Sequence, residues 1–388
     1  MEEVGDFFDV IYFRIFVLQF FSMINATHFN RHYYYPDSYK DQADKFFNLY
    51  SIQKEQGCPL TKMTGLKERS KRVCRFCSKK EPFVTFKKDA HVIPEMLGNK
   101  YLVCDDECDE CNYKFSKYEN DFAAFLGMVR TTSMVRGKEK VPKFKSADKK
   151  LIAETLQDPE EGTVVSITRT DRFSDTFQFD KEKLQTIINY TKNPYTPLSI
   201  YKLLVKMALS IMPESDLKYY KMALEYIRTT KHDKEVTGFA MSTVYFMPAS
   251  YQLITPSAFL FRKKDRNEKV ASHVFMFTFL HYHYQIVLPF CANDYTLFRT
   301  SAVDTFWCPP IFGSNHDFGE GFVKSQAYNF NSTERIRDEM EQLIIPGTKE
   351  QFEIAKFKDK ETGNITEAPF NGSEIVGFQI IREETQSD

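Results

Sequence analysis

Residues 150 to 388 hold no GxxxxGK[ST] phosphate loop, no glycine-rich dinucleotide turn and no internal repeat. That excludes P-loop nucleotide chemistry, Rossmann cofactor binding and a solenoid from that region. The N-terminus also lacks a clean apolar run. Phe7 to Ile24 is rich in Phe, Ile and Val but carries Asp9 and Arg14, and Glu2, Glu3 and Asp6 stand ahead of it. A secretory leader needs positive charge before its apolar core, and a membrane span tolerates few charges near its centre. The stretch is therefore expected to form a buried or partner-binding helix, with no confident membrane association; a start at Met23 remains open. Disulfide spacing is missing too. Of eight cysteines, four stand in two C-x2-C pairs and Cys58, Cys104, Cys291 and Cys308 are scattered, which points to a reducing cytoplasm.

Net charge is nearly absent, at −1, but the total hides an imbalance. Lys62 to Lys150 holds 21 Lys/Arg and 13 Asp/Glu, a balance of +8, while the remainder holds 31 and 40, a balance of −9. A basic segment in acidic surroundings suits contact with a phosphate backbone, where cations displace condensed counterions.

That basic segment contains Cys74-Arg75-Phe76-Cys77, then Ala90-His91-Val92-Ile93-Pro94, then Cys108-Asp109-Glu110-Cys111-Asn112. Two C-x2-C pairs with 30 residues between them can give four thiolates to one tetrahedral Zn²⁺. A zinc closed by four cysteines has no open position, so Cys74, Cys77, Cys108 and Cys111 predict a structural site. Chemistry must come from what the zinc holds in place. Pro82 to Phe86 has strand composition, and a second strand is expected over Tyr101 to Cys104. A helix starting inside the second pair would present Phe115, Tyr118, Phe122 and Phe125 as one apolar stripe across those strands.

These residues resemble the HNH endonuclease family, over roughly residues 70 to 130, and more narrowly a subgroup of bacterial restriction and antiviral proteins. The resemblance implies a zinc-stapled ββα-metal nuclease domain. His91 stands where the family has its general base, Asp105 where an asparagine or aspartate precedes the second knuckle, and Asn112 where a histidine or asparagine follows the last cysteine. Two positions depart from the pattern: Ala90 replaces a frequent metal-binding aspartate, and the middle asparagine is Asp105. Phosphodiester hydrolysis needs a base to deprotonate water and a hard cation at the scissile phosphate. His91 is assigned as base, Asn112 as ligand of a catalytic Mg²⁺ or Mn²⁺, and Asp105 as orienter of His91 or a further ligand. Asp89 and Glu95 are reserve carboxylates, and Lys87, Lys88, Lys100 and Lys114 are candidate phosphate contacts.

The expected fold class is α+β, organised as a helical, aromatic extension over 1–69, the HNH domain over 70–135 and a larger α+β domain over 150–388. Thr131 to Lys150 reads as the connector. Within the last domain, residues 162–169 and 176–180 read as paired strands. Tyr201 to Met212 and Ser215 to about Thr229 read as helices, and Val274 to Leu288 as one long strand with His281 and His283 on one face. No third ligand accompanies those histidines, so they are read as structural. The domain could recognise a target, sense a signal or bind a regulatory protein partner. Two functional readings follow: a cytoplasmic, metal-dependent endonuclease acting on DNA in restriction or antiviral defence, or a zinc-stapled nucleic-acid-binding or regulatory module that has lost its cation, as Ala90 permits.

Overall fold

The computed structural model describes residues 10–12, 14–16, 35–63, 66–159, 162–170, 175–229, 239–247, 253–300, 304–311, 323–347, 349–358, 365–369 and 377–381. The fold is α+β, and its contacts divide the chain into two compact units. One comprises residues 1–21, 124–194 and 336–388; the other comprises 22–123 and 195–335. This grouping runs across the linear boundaries expected at 69/70 and 135/150, because the knuckle segment and residues 195–335 share one unit.

In the unit that carries the knuckles, a six-stranded antiparallel sheet runs in the order 324–329, 241–246, 282–287, 273–280, 253–263 and 50–57. The strand at 50–57 reaches the sheet edge directly from the helix Lys40–Leu49, whose Phe46 packs on Tyr50 and Phe261 at ring distances of 5.0 Å. That helix lies within the helical, aromatic extension expected over 1–69. The long run from Val274 does not continue as one strand. It reverses at Leu280, whose φ of 53° is left-handed, and splits into the hairpin His273–Leu280 and Tyr282–Val287.

The helix Pro197–Ile211 is buried along its whole length, which explains why its sequence is largely apolar. One flank packs on the sheet strands Leu253–Lys263 and His273–Leu280, and the Tyr201 hydroxyl donates to the Val287 carbonyl at 3.1 Å. The other flank carries Lys202 and Lys206, one turn apart and 0% and 1% exposed. The helix expected to follow it is broken into Glu214–Leu217, a 3-10 turn at Lys218–Tyr220, and Lys221–Arg228.

The other unit is built on a five-stranded sheet, in the order 14–16, 377–381, 162–169, 151–158 and 144–145, and on two three-stranded sheets. Phe144, Leu151, Val165, Ile167, Phe177, Ile188, Tyr190 and Phe378 belong to its core. The expected pairing of 162–169 with 176–180 is not made. Gly162–Arg169 pairs with Leu151–Asp158 and Gly377–Ile381, while Phe177–Asp180 pairs with Gln185–Thr191. The helix expected over Phe7 to Ile24 is also replaced where the chain is described: Val10–Tyr12 and Arg14–Phe16 are strands that pair with distant segments near the C-terminus. Residues 17–34 lie outside the described residues. Among the described residues no helix is long and apolar enough to cross a membrane.

A candidate active site framed by a four-cysteine centre

The first knuckle is a tight turn. The Ser78 amide donates to the Cys74 carbonyl at 2.7 Å and the Cys74 amide to the Lys79 carbonyl at 2.8 Å. Ser78, directly after Cys77, takes a left-handed φ of 58°. The second knuckle opens the helix Asp109–Phe125, with Asp109 and Glu110 in its first turn, where negative charge suits the helix N-terminus. All four sulfur atoms lie within 4.8 Å of one another, with Cys77 and Cys108 at 3.8 Å. A disulfide would need about 2.05 Å. Four Zn–S bonds of about 2.3 Å make tetrahedron edges of about 3.8 Å, so the sulfurs fit one Zn²⁺. The Cys108 thiol is held well below its usual range by hydrogen bonds from Cys111 and Cys74, while Cys111, donating, is pushed up. Cys108 is thus the member of the set held nearest to thiolate, the form a metal takes.

Between the knuckles, Pro82 to Phe86 is a turn running into irregular backbone and not the expected strand. The reason is Asp109, whose carboxylate accepts from the Thr85 hydroxyl at 2.5 Å and from the amides of Lys87 and Lys88 at 3.0 and 2.9 Å. Asp109 returns its own amide to the Thr85 carbonyl at 2.8 Å. These bonds tie the exposed lysines 87 and 88 to the start of the helix and use backbone groups that a sheet partner would need. The expected strand pair shrinks to a bridge between His91 and Val103, flanked by Cys104 N–H to Ala90 O at 2.7 Å and Val92 N–H to Leu102 O at 3.2 Å. Buried Asn99 closes the loop beyond it, donating to the carbonyls of Ile93 and Leu102 and accepting from the Leu102 amide.

His91 is half-buried at that bridge. Burial lowers its imidazole below the ordinary value; Glu95 opposes this, Lys206 reinforces it, and a hydrogen bond to the Lys100 backbone and the charge of Asp89 oppose it. The reserve carboxylates Glu95 and Asp89 are therefore the acids that act on the ring. Asp105 is engaged elsewhere, accepting the Lys67 amide at 2.7 Å. Asn112 is half-buried in the first turn of the knuckle helix, its amide donating to Cys108 O at 2.9 Å. Two turns further on, the same helix face carries Glu119, whose carboxyl is raised by burial, with Lys206 opposing and Glu95 adding. Glu95 and Lys206 thus influence both Glu119 and His91. Among the candidate phosphate contacts, Lys100 lies 3.7 Å from Glu95 and Lys114 lies 3.2 Å from Glu110, so part of their charge is spent within the chain.

The stripe Phe115, Tyr118, Phe122 and Phe125 is buried, but not across two strands. Phe115 packs on Phe76 of the first knuckle at 4.9 Å, the Tyr118 hydroxyl donates to Ile227 O at 2.8 Å, and Phe122 meets Tyr284 of the large sheet at 5.5 Å. Sequence reasoning missed the residues that join knuckles to helix. Arg75 Nε donates to Asp106 at 2.8 Å, and its Nη1 reaches the carbonyls of Leu209, Ser210 and Met212 at 2.7, 2.8 and 3.2 Å, capping the end of Pro197–Ile211. Lys206 Nζ lies 3.0 Å from Glu107, and both side chains are excluded from solvent. Burial raises the Glu107 carboxyl to about 7, with Lys206 opposing. A signal was present: a lysine four residues after another in an otherwise apolar helix demands a buried partner.

Residues 74–124 match the family model described as HNH endonuclease. No curated protein and no solved structure matches the chain. The knuckle segment, with its four-cysteine centre and the histidine suspended between the cysteine pairs, thus fits a zinc-stapled HNH endonuclease domain.

Proposed function

We propose that the chain is a metal-dependent endonuclease that hydrolyses phosphodiester bonds in DNA, with a role in restriction or antiviral defence in the cytoplasm. The observation that carries this reading is the half-buried His91 imidazole, kept neutral by burial inside the zinc-held frame of an HNH domain. A neutral imidazole accepts a proton from water at pH 7, which a protonated one cannot do. His91 is the general base, and its ring is aimed by the hydrogen bond to the Lys100 backbone. Asn112, fixed one residue beyond the zinc ligand Cys111, would hold Mg²⁺ or Mn²⁺ through its amide oxygen; its oxygen donor suits a hard cation that keeps water and substrate phosphate in its shell. Such a cation supplies charge stabilisation at the scissile phosphate and the leaving oxygen. Lys87 and Lys88 meet the backbone of the bound strand, and Asp105 braces the Lys67 turn.

One observation favours a second reading. Ala90, 2% exposed, leaves the residue beside the base without the carboxylate frequent in the family, and a domain that has lost its cation would bind nucleic acid or regulate without cutting. Incubation of purified protein with plasmid and Mg²⁺ or Mn²⁺ separates the two. Nicking or linearisation supports the nuclease; binding with no cutting under either cation supports the module.

A further inference from the structure

Lys206 belongs to Pro197–Ile211, far outside the segment that matches the HNH endonuclease family. Its ammonium donates to the backbone carbonyl of His91 at 2.5 Å, lies 3.0 Å from the Glu107 carboxylate and sits 5.9 Å from the centre of the Phe115 ring. Three parts of the HNH domain are held by one charge: the base-bearing bridge, the residue before the zinc ligand Cys108, and the helix that carries Asn112. With 1% exposure the lysine makes no contact with substrate. We propose that Lys206 is a positioning residue for the nuclease, fixing the backbone of His91 against the zinc knuckle and the knuckle helix, so that base and cation ligand keep their spacing. The inference rests on the nuclease reading above.

The reasoning is one of stiffness. His91 belongs to a bridge of one residue pair, which no extended sheet supports. A carbonyl in such a bridge is fixed by whatever donor meets it, and here that donor is a fully desolvated cation anchored to a helix whose every residue is buried. A displacement of about 1 Å in a catalytic group costs on the order of 10²-fold in rate. Lys202 provides the internal comparison. It is equally buried in the same helix, yet its ammonium donates to the Thr229 carbonyl at 2.6 Å and lies 4.5 Å from the Tyr226 ring centre, away from His91.

The test uses the full chain with zinc bound, in four variants: Lys206→Met, Lys206→Arg, Lys202→Met, and Lys206→Met combined with Glu107→Gln. The double variant avoids leaving a bare carboxylate in the interior, so it keeps the test alive if the single one does not fold. Expected are a fall of about 10²-fold in kcat with KM within about twofold for both Lys206→Met proteins, partial recovery in Lys206→Arg, and kcat within about threefold of wild type in Lys202→Met. Zinc content should stay unchanged in all. The His91 ring resonance in labelled protein gives a second readout that needs no activity: it should move in the Lys206→Met proteins and stay in Lys202→Met. Equal kcat in the Lys206 and Lys202 variants, or an unmoved His91 resonance, would overturn the proposal. An inactive wild type whose His91 resonance still responds to Lys206→Met would sink the nuclease reading and leave the positioning intact.

Discussion

Replacing Arg75 by Met keeps most of the side-chain stem but removes the guanidinium that joins the first knuckle to the end of the buried helix. Arg75 and Asp106 side chains are 13% and 11% exposed, so solvent screens their interaction little. Removing one partner of a buried pair costs about 3–5 kcal/mol, largely because the other charge is left in the interior. The carbonyls of Leu209, Ser210 and Met212 also lose their donor, but these terms share one group and do not add in full. We expect a loss of about 4 kcal/mol in urea unfolding, equivalent to roughly 8–16 °C in Tm for a unit of this size. Arg75→Lys should recover only part, because one ammonium cannot reproduce the forked contacts to Asp106 and to the helix end. In a double-mutant cycle, Arg75→Met with Asp106→Asn should cost less than the two single changes together. A loss below about 0.5 kcal/mol, or strict additivity in the cycle, would refute the view that this pair bolts the zinc domain to the helix.

Three further outcomes follow from the same geometry. Chelation or Cys111→Ser should remove one tightly held Zn per chain and unfold the knuckle segment, which has only short 3-10 turns and single bridges between residues 66 and 108; zinc analysis with limited proteolysis checks this, and a chelated protein that resists cleavage there would contradict it. Burial pushes the imidazole of His283, 0% exposed, down to about 3, against about 6.5 in the unfolded chain. The folded state has the lower pKa, so the stability of neutral His283 is complete above about pH 6.5 and falls toward pH 3, by up to ~1.4 kcal/mol per pH unit; urea melts should show a smaller loss between pH 7 and pH 5 in His283→Leu than in wild type. The double substitution Lys87→Ala, Lys88→Ala should weaken DNA binding at low salt and reduce the slope of log K against log salt by about 2, read by fluorescence anisotropy across a salt series; an unchanged slope would remove both lysines from the interface.

What could be read in the sequence is what local chemistry dictates. Four cysteines in two C-x2-C pairs can meet one ion in few ways, and they do converge. The period of Phe115, Tyr118 and Phe122 marks a buried helix face, and all three are buried. What could not be read depends on partners distant in the chain. Pro82 to Phe86 has strand composition but no strand beside it; Asp109 instead engages Thr85 and the amides of Lys87 and Lys88 just beyond it. Asp106 and Glu107 resemble a solvated acidic loop, yet both are buried, since Arg75 and Lys206 meet them. Sheet order is equally non-local: Tyr50–Gly57 pairs with Leu253–Lys263, and Val10–Tyr12 with Ile354–Lys358. The role of Asp105 in the site came from its place in the motif, whereas the carboxylates acting on His91 are Glu95 and Asp89.

The most direct measurement is plasmid cleavage by zinc-loaded wild-type and His91→Ala proteins, side by side, with Mg²⁺ or Mn²⁺. If the imidazole is the base, wild type cuts, and the variant, with equal zinc and an unchanged melting curve, loses at least about 10²-fold in rate. Cutting at the same rate by both proteins would contradict the account.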